Sequence, residues 1–445
     1  MTVEAACSGR RMPWYGWVGA VALVTGEVAL LRHVTWVETL FYCIAWWSYI
    51  LATDAWIWRR RGSSLLRNRP WEFLVLAFWS IALWNIFELF NFRLQNWCYI
   101  NVPRDLVQGG ILSFLAYATV APGLLETYEL LCAEGVFERV RLRPWRIRPA
   151  GLAVAVGVGL FMLAACLVWP RYAYPLVWGF AVLLLDPLCY LAGGRSLLRQ
   201  LSEGDARPFL RLLFAGLVCG GLWEFWNFWA YTKWLYTVPF FEQLKWFEMP
   251  PLGFLGFPPF ALEAYVLINV LNLFRKGRSW DSPGGSGAAP GLALGAVVVA
   301  LLFNVAVYAG IDRFTVVSYA PTLADLDGLN RDAVSRLSAA GIQTPPELLS
   351  RTETPSATSR LARQIQVVEP ELTDVREAAR VAGLKGLGAS NRNVLLRLGI
   401  RRLDQLATQE PSELESRWRR VTGPDTPSLA QIGIWVRAAK RERGQ

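Results

Sequence analysis

The chain has 445 residues, of which 54% are hydrophobic and only 18% charged, with 22 Trp and a net charge of +10. Soluble domains carry about 25% charged residues, so this composition excludes a purely soluble protein and a disordered one. A single His and seven scattered Cys, with no C-x-x-C spacing, supply neither a metal site nor a disulfide framework. No metal and no cofactor are therefore expected.

In chain order, nine apolar runs are long enough to cross a bilayer, which takes about 20 residues. They lie near 14–31, 34–58, 71–92, 106–132, 150–169, 173–194, 209–231, 252–274 and 291–310. The first is not a cleaved leader: no small-residue cleavage site follows, and Arg32-His33 runs straight into the next span. Ser282 to Pro290 reads as a Gly/Pro/Ser linker before the ninth span. Residues 1–310 are thus expected to form an integral membrane domain, 311–322 a linker, and 323–445 a small helical domain. The fold class is all-α: a polytopic helical membrane bundle with an all-helical tail.

The charge pattern orients the spans. With the N-terminus in the cytoplasm, the inner segments hold 19 Lys and Arg and the outer loops six: Arg32, Arg93, Arg104, Arg171, Lys233 and Lys245. Basic residues accumulate on the cytoplasmic side. An odd number of spans then places the C-terminal domain outside the cytoplasm of a bacterial inner membrane.

The membrane part repeats itself. Glu88-Leu-Phe-Asn91 matches Glu224-Phe-Trp-Asn227 at an offset of 136, and Trp97-Cys-Tyr99 and Val102-Pro103 match Trp234-Leu-Tyr236 and Val238-Pro239. Pro122 with Glu126 and Tyr128 matches Pro259 with Glu263 and Tyr265 at 137, and Asp54 with Ser64-Leu-Leu-Arg67 matches Asp186 with Ser196-Leu-Leu-Arg199 at 132. Repeat 1 spans about 14–132 and repeat 2 about 150–274, four spans each. Four is even, so both halves share one orientation and are expected to pack about a pseudo-two-fold along the membrane normal, with a site between them.

Glu88, Glu224, Glu126 and Glu263 fall inside spans, and Glu27 lies in the first span with no counterpart in repeat 2. A charge within a span costs ~2.5–3.5 kcal/mol and usually faces the bundle interior. No Lys or Arg sits mid-span beside these acids. Each is expected to be neutral at pH 7, as a general acid requires, or to serve as interhelical glue through Asn and Tyr. Asn91, Asn227, Tyr128, Tyr265, Trp223 and Trp226 are the candidate substrate-binding residues around them. Trp229, Trp234 and Trp246 read instead as an interfacial aromatic belt.

Trp223-Glu224, then Trp234 and Tyr236, then Pro259 and Glu263 resemble the motif series of the integral-membrane lycopene cyclase type. The Pro-to-Glu spacing is longer here and the Glu-Glu pair is absent. The resemblance implies proton-initiated ring closure of a polyene, with a carboxylic acid as donor and no redox cofactor.

The tail carries its own repeat. Gly328 and Gly341 match Gly386 and Gly399, both at an offset of 58, and each unit continues into a Pro-Ser helix start. Gly-Leu-Gly between two short helices, with a second helix closed by Gly-Ile, is the helix-hairpin-helix pattern. Its free N–H groups can receive a phosphate. In tandem with the Pro-Ser helices it resembles the domain-of-unknown-function 4332 family over residues 323–442. Gly386, Gly388 and Arg392 are the candidate phosphate- or nucleic-acid-binding residues, while Asn330 replaces the corresponding Gly in the first unit. Residues 311–445 hold 20 basic and 16 acidic residues, a net charge of only +4. Protein docking is therefore expected ahead of DNA binding.

Three functions fit these residues. The first is a membrane-embedded acid–base enzyme, cyclase- or isomerase-like, acting on an apolar lipid or isoprenoid. The second is a proton- or cation-coupled carrier, and the third a scaffold whose tail binds protein or DNA.

Overall fold

The computed structural model describes residues 10–103, 105–238, 244–276, 279–281, 289–314 and 318–443. Arg104, Pro239, Glu242, Arg278 and linker residues 282–288 lie outside the described residues. The chain folds as two units. One comprises Met1–Asn96, Gly110–Tyr231 and Gln243–Thr315; the other comprises Trp97–Gly109, Thr232–Glu242 and Val316–Gln445.

The first unit is helical. Its long helices are α1 (Trp14–Leu31), α2 (Thr35–Arg61), α4 (Pro70–Leu94), α6 (Val120–Ala133), α7 (Pro149–Val168), α9 (Phe180–Leu191), α11 (Arg207–Trp229), α12 (Phe257–Phe274) and α13 (Pro290–Phe314). Short helices α3 (Leu65–Asn68), α5 (Leu106–Tyr117), α8 (Pro170–Ala173) and α10 (Leu197–Ser202) join them. Among the described residues, eight helical segments are long and apolar enough to cross a membrane. They coincide with eight of the nine expected runs. The remaining expected run, 34–58, is α2, a 27-residue helix that carries Glu38 in its first turn and Arg59, Arg60 and Arg61 in its last.

Three of these segments are broken, each for a local reason. Between α5 and α6, Pro122 lacks the N–H that would bond to Ala118. Ser80 repairs the gap: its hydroxyl donates to the Tyr117 carbonyl at 2.6 Å and accepts from the Ala121 N–H at 2.9 Å. Between α8 and α9 the chain passes through a 3-10 turn at Tyr174–Val177 and then Gly179, whose φ of 128° favours glycine. Before α12, a 3-10 segment at Pro251–Gly256 precedes a start that contains Pro258 and Pro259.

The repeat offsets reappear in the packing. Asp54 accepts from the Ser64 hydroxyl and the Leu66 N–H, both at 2.8 Å, and so anchors α3. Its counterpart Asp186 accepts from the Ser196 hydroxyl at 3.0 Å and from Leu197 and Leu198 N–H at 2.9 and 2.8 Å, anchoring α10. Trp46 packs on Trp223 with ring centroids 5.3 Å apart, and Trp178 stacks on Phe87 at 5.2 Å. The offsets of 132 and 136 exchange these two pairs. Tyr128 and Tyr265, counterparts of each other, meet at 6.4 Å.

The fold is mostly helical, consistent with the all-α expectation, and the second unit adds a few short strands to it. That unit holds a three-stranded sheet of order β2-β1-β3, made from β1 (Trp97–Val102), β2 (Lys233–Tyr236) and β3 (Ser318–Tyr319). The two W-x-Y motifs form antiparallel β1 and β2, with Trp97 opposite Tyr236, Cys98 opposite Leu235 and Tyr99 opposite Trp234. Each motif therefore pairs with its own copy. Thr232 Oγ1 donates to the Asn101 carbonyl at 2.9 Å, and the Ala320 N–H donates to Val102 at 3.0 Å. Where sequence saw only interfacial aromatics, β-branched and aromatic residues form a ladder.

The tail packs two apolar cores, one per repeat. Leu326, Leu337, Leu348 and Leu372 belong to the first, and Leu395, Leu406, Leu414 and Trp418 to the second. Gly328 and Gly386 both have φ of 73°, and Gly341 and Gly399 have 75° and 82°. The 58-residue repeat thus holds at the level of backbone conformation. Residues expected as a linker are partly ordered structure: α13 runs to Phe314 and β3 occupies Ser318–Tyr319.

Candidate functional site

The five acids singled out in the sequence occupy different settings rather than one shared pocket. Glu88 and Glu224 are fully buried near the ends of α4 and α11. Glu88 accepts from Trp84 Nε1 at 2.8 Å, one turn back on the same helix. Around Glu224, Trp223 and Trp226 pack on Trp46, the latter edge-on at 5.2 Å. Trp226 Nε1 also reaches Glu27 of α1 at 3.5 Å, so the acid without a counterpart joins this aromatic cluster. Trp46 sits so tightly on Gly123 that a Cβ there would lie 2.7 Å from its ring. Asn91 and Asn227 are both buried, and the Asn91 side chain accepts from the Asn96 N–H at 2.8 Å, closing the end of α4.

Glu126 and Glu263 are counterparts with different partners. Glu263 accepts from the Ala181 N–H at 2.9 Å and from the Gly179 N–H. It thereby caps α9 where that helix opens inside the bundle, satisfying amides that would otherwise be orphaned. The first repeat has no such break, because α2 is continuous there. Glu126 has no helix start to cap and borders the same polar cavity as Ser64, which donates to Asp54. Asp54 also accepts from the Tyr15 hydroxyl at 2.7 Å and from the two α3 donors described above.

Glu126 lines a cavity of about 110 Å³, together with Arg61, Ser63, Ser64, Arg69, Glu129, Trp280 and Asp281. Arg61 pairs with Glu129, and Arg195 pairs with Asp281. Sequence reading noted Asp54 only as part of the repeat and passed over Arg69, Glu129, Trp280 and Asp281. The available signal was a lone Trp-Asp in an otherwise small-residue linker.

Charged residues beside the bundle tie the second repeat to the segment that joins the two repeats. Arg207 bridges Asp205 and Glu138, and Arg211 donates to Glu138 at 2.6 Å and to the Val136 carbonyl at 2.7 Å. These guanidinium bonds hold the Glu138 and Asp205 carboxyls below the usual carboxylate range.

In the tail, the second hairpin is covered. A Cβ on Gly386 would lie 2.9 Å from Ile100 Cγ2 and 3.2 Å from Leu235 Cδ1; one on Gly388 would lie 2.5 Å from Ser318 Oγ. The hairpin therefore rests on the sheet. Arg392 is 4% exposed; its guanidinium donates to the Asp327 carbonyl and, at 3.3 Å, to Asn393 Oδ1, and burial lowers its pKa. It joins the two hairpins instead of facing a phosphate. Asn330, the glycine replacement, caps the helix Arg331–Ala339 by accepting from the Asp332 N–H at 2.9 Å. Among the described residues, no group of three or more His, Cys, Asp and Glu could hold a metal ion.

Residues 327–442 match a family model, the Domain of unknown function (DUF4332). This accords with the resemblance of residues 323–442 to that family. No curated protein and no solved structure matches the chain.

Proposed function

We propose that this is a polytopic membrane protein that carries out acid–base chemistry on an apolar lipid or isoprenoid, with the Asp54–Glu126 pair as its proton-holding centre. The observation that carries this reading is a buried carboxyl, Glu126, on a polar cavity that is also lined by Ser64, a donor to Asp54. Asp54 accepts three hydrogen bonds, from Tyr15, Ser64 and Leu66. Glu126 is the acid proposed to donate. The lycopene-cyclase-like order of motifs supports an isoprenoid-type substrate.

Glu263 enters as the cap of α9, and Glu27, Glu88 and Glu224 as polar members of an aromatic wall. A proton-coupled carrier is the second reading. It is favoured by α9, a half-helix whose N-terminus opens onto a carboxyl, an arrangement found at carrier sites.

The apolar exposure of α1, α7 and α13 suits a lipid surround: Val21, Leu160 and Leu302 are 59%, 51% and 67% exposed. β1, β2 and β3 begin within a few residues of the C-terminal ends of α4, α11 and α13, and all three share one sheet. This supports a reading in which the three ends open on one side, and the 19-to-6 basic bias supports that side being extracytoplasmic. The tail serves there as a docking module, since its better hairpin is engaged by the sheet.

The functional test compares lipid and pigment profiles of cells carrying the wild-type chain, Glu126→Gln or Asp54→Asn. The enzyme reading requires a product that disappears in both variants at equal protein level. Unchanged profiles, with proton-dependent uptake lost in proteoliposomes, would leave the carrier.

A further inference from the structure

Among the described residues, four of the buried polar atoms without a hydrogen bond belong to residues of one cavity: Glu126 Oε1, Arg69 Nη1, Trp280 Nε1 and Asp281 Oδ1. All four residues line the same cavity of about 110 Å³. Two of the atoms are donors and two are acceptors. Buried polar atoms carry the full cost of desolvation when left bare. A polar cavity with room for several molecules of about 30 Å³, and two to four polar partners for each, is one that water occupies. Glu126 is itself only 2% exposed and borders this space.

The same cavity has a door. Asp281 offers one oxygen to the cavity and the other to Arg195. The Arg195 guanidinium also lies 5.6 Å from the Trp280 ring centroid, and that ring packs edge-on against Tyr265 at 5.7 Å. Trp280 is 3% exposed, whereas the side chains of Arg195 and Asp281 are 34% and 23% exposed. The ion pair is thus the wet end and the indole the dry end of one plug.

We propose that this cavity is the proton inlet of the Asp54–Glu126 pair: a water cluster held by Arg69, Trp280, Asp281 and Glu126, latched by the Arg195–Asp281 ion pair. A proton arriving from bulk water passes along the cluster to the pair. One leaving the pair returns by the same route, so no co-reactant is needed. The inlet rests on the acid–base reading above, and the test separates the two.

Full-length protein in lipid bilayers is moved into D₂O, and the protonated-carboxyl infrared band that Glu126→Gln removes is followed as it shifts. Arg195→Gln and Trp280→Phe are expected to exchange about fivefold faster than wild type, the rate equivalent of about 1 kcal/mol for a partly exposed pair. Trp280→Phe keeps the aromatic packing and guards against simple unfolding. If the band is present but both variants exchange at the wild-type rate, the inlet is overturned and the carboxyl pair stands. If no such band exists, the pair and its inlet both fall.

Discussion

Replacing Glu263 separates an acceptor from a proton donor. Glu263 accepts from the Ala181 N–H at 2.9 Å and from the Gly179 N–H, and it is completely buried. Leucine at this position fills comparable space but leaves both amides bare in an apolar interior. An unsatisfied buried group costs about 1–3 kcal/mol, so Glu263→Leu is expected to destabilise by ~2–5 kcal/mol. Glutamine retains a side-chain oxygen in the same place and should cost under ~1 kcal/mol. Unfolding in mixed micelles, followed by Trp fluorescence, measures both. A Leu variant as stable as wild type would falsify the capping role. A Gln variant as damaged as Leu would show that the carboxyl itself, rather than an acceptor, is needed.

Gly386→Val combines a φ of 73° with a Cβ only 2.9 Å from Ile100 Cγ2. It should loosen the hairpin from β1 by at least ~1–2 kcal/mol, seen as faster hydrogen exchange over 97–102; unchanged exchange would refute the packing. Glu138 and Asp205 are held below their unfolded pKa by Arg211 and Arg207. Their contribution is complete above about pH 5, beyond both unfolded values, and is lost as pH falls through the lower folded values. Asp205→Asn should flatten that acid limb of a pH–stability curve, and an unaltered limb would remove this cause. Reporter fusions after Gln445 should be active only outside the cytoplasm, because the three strands fix the tail on the side of the 97–103 and 232–238 loops; cytoplasmic activity would contradict this.

Hydropathy carried most of the fold, because a span must be apolar over its whole length whatever it packs against. Helix α2 shows the limit: Glu38, Asp54 and the terminal arginines dilute its apolar character, although it is 27 residues long. The break before α9 was encoded in Pro170, Pro175 and Gly179, residues that leave mean hydropathy high while stopping a helix. Repeat matching found Glu126 and Glu263 as counterparts. It could not show that one borders a polar cavity and the other caps a helix start, because that depends on whether the facing helix is continuous. The strands escaped notice since W-C-Y and W-L-Y are too short to show a period of two, and their partners lie 137 residues apart. The hairpin glycines were read correctly for backbone conformation but not for surroundings, because φ is local and burial against Ile100 and Leu235 is not. Trp280 and Asp281 were missed for the same reason.

The most direct measurement is the infrared difference spectrum between wild type and Glu126→Gln in bilayers at neutral pH. A protonated-carboxyl band that vanishes in Glu126→Gln, and shifts in Asp54→Asn as its partner is lost, is expected from the proposed Asp54–Glu126 pair. A spectrum unchanged by Glu126→Gln would contradict the proton-holding pair.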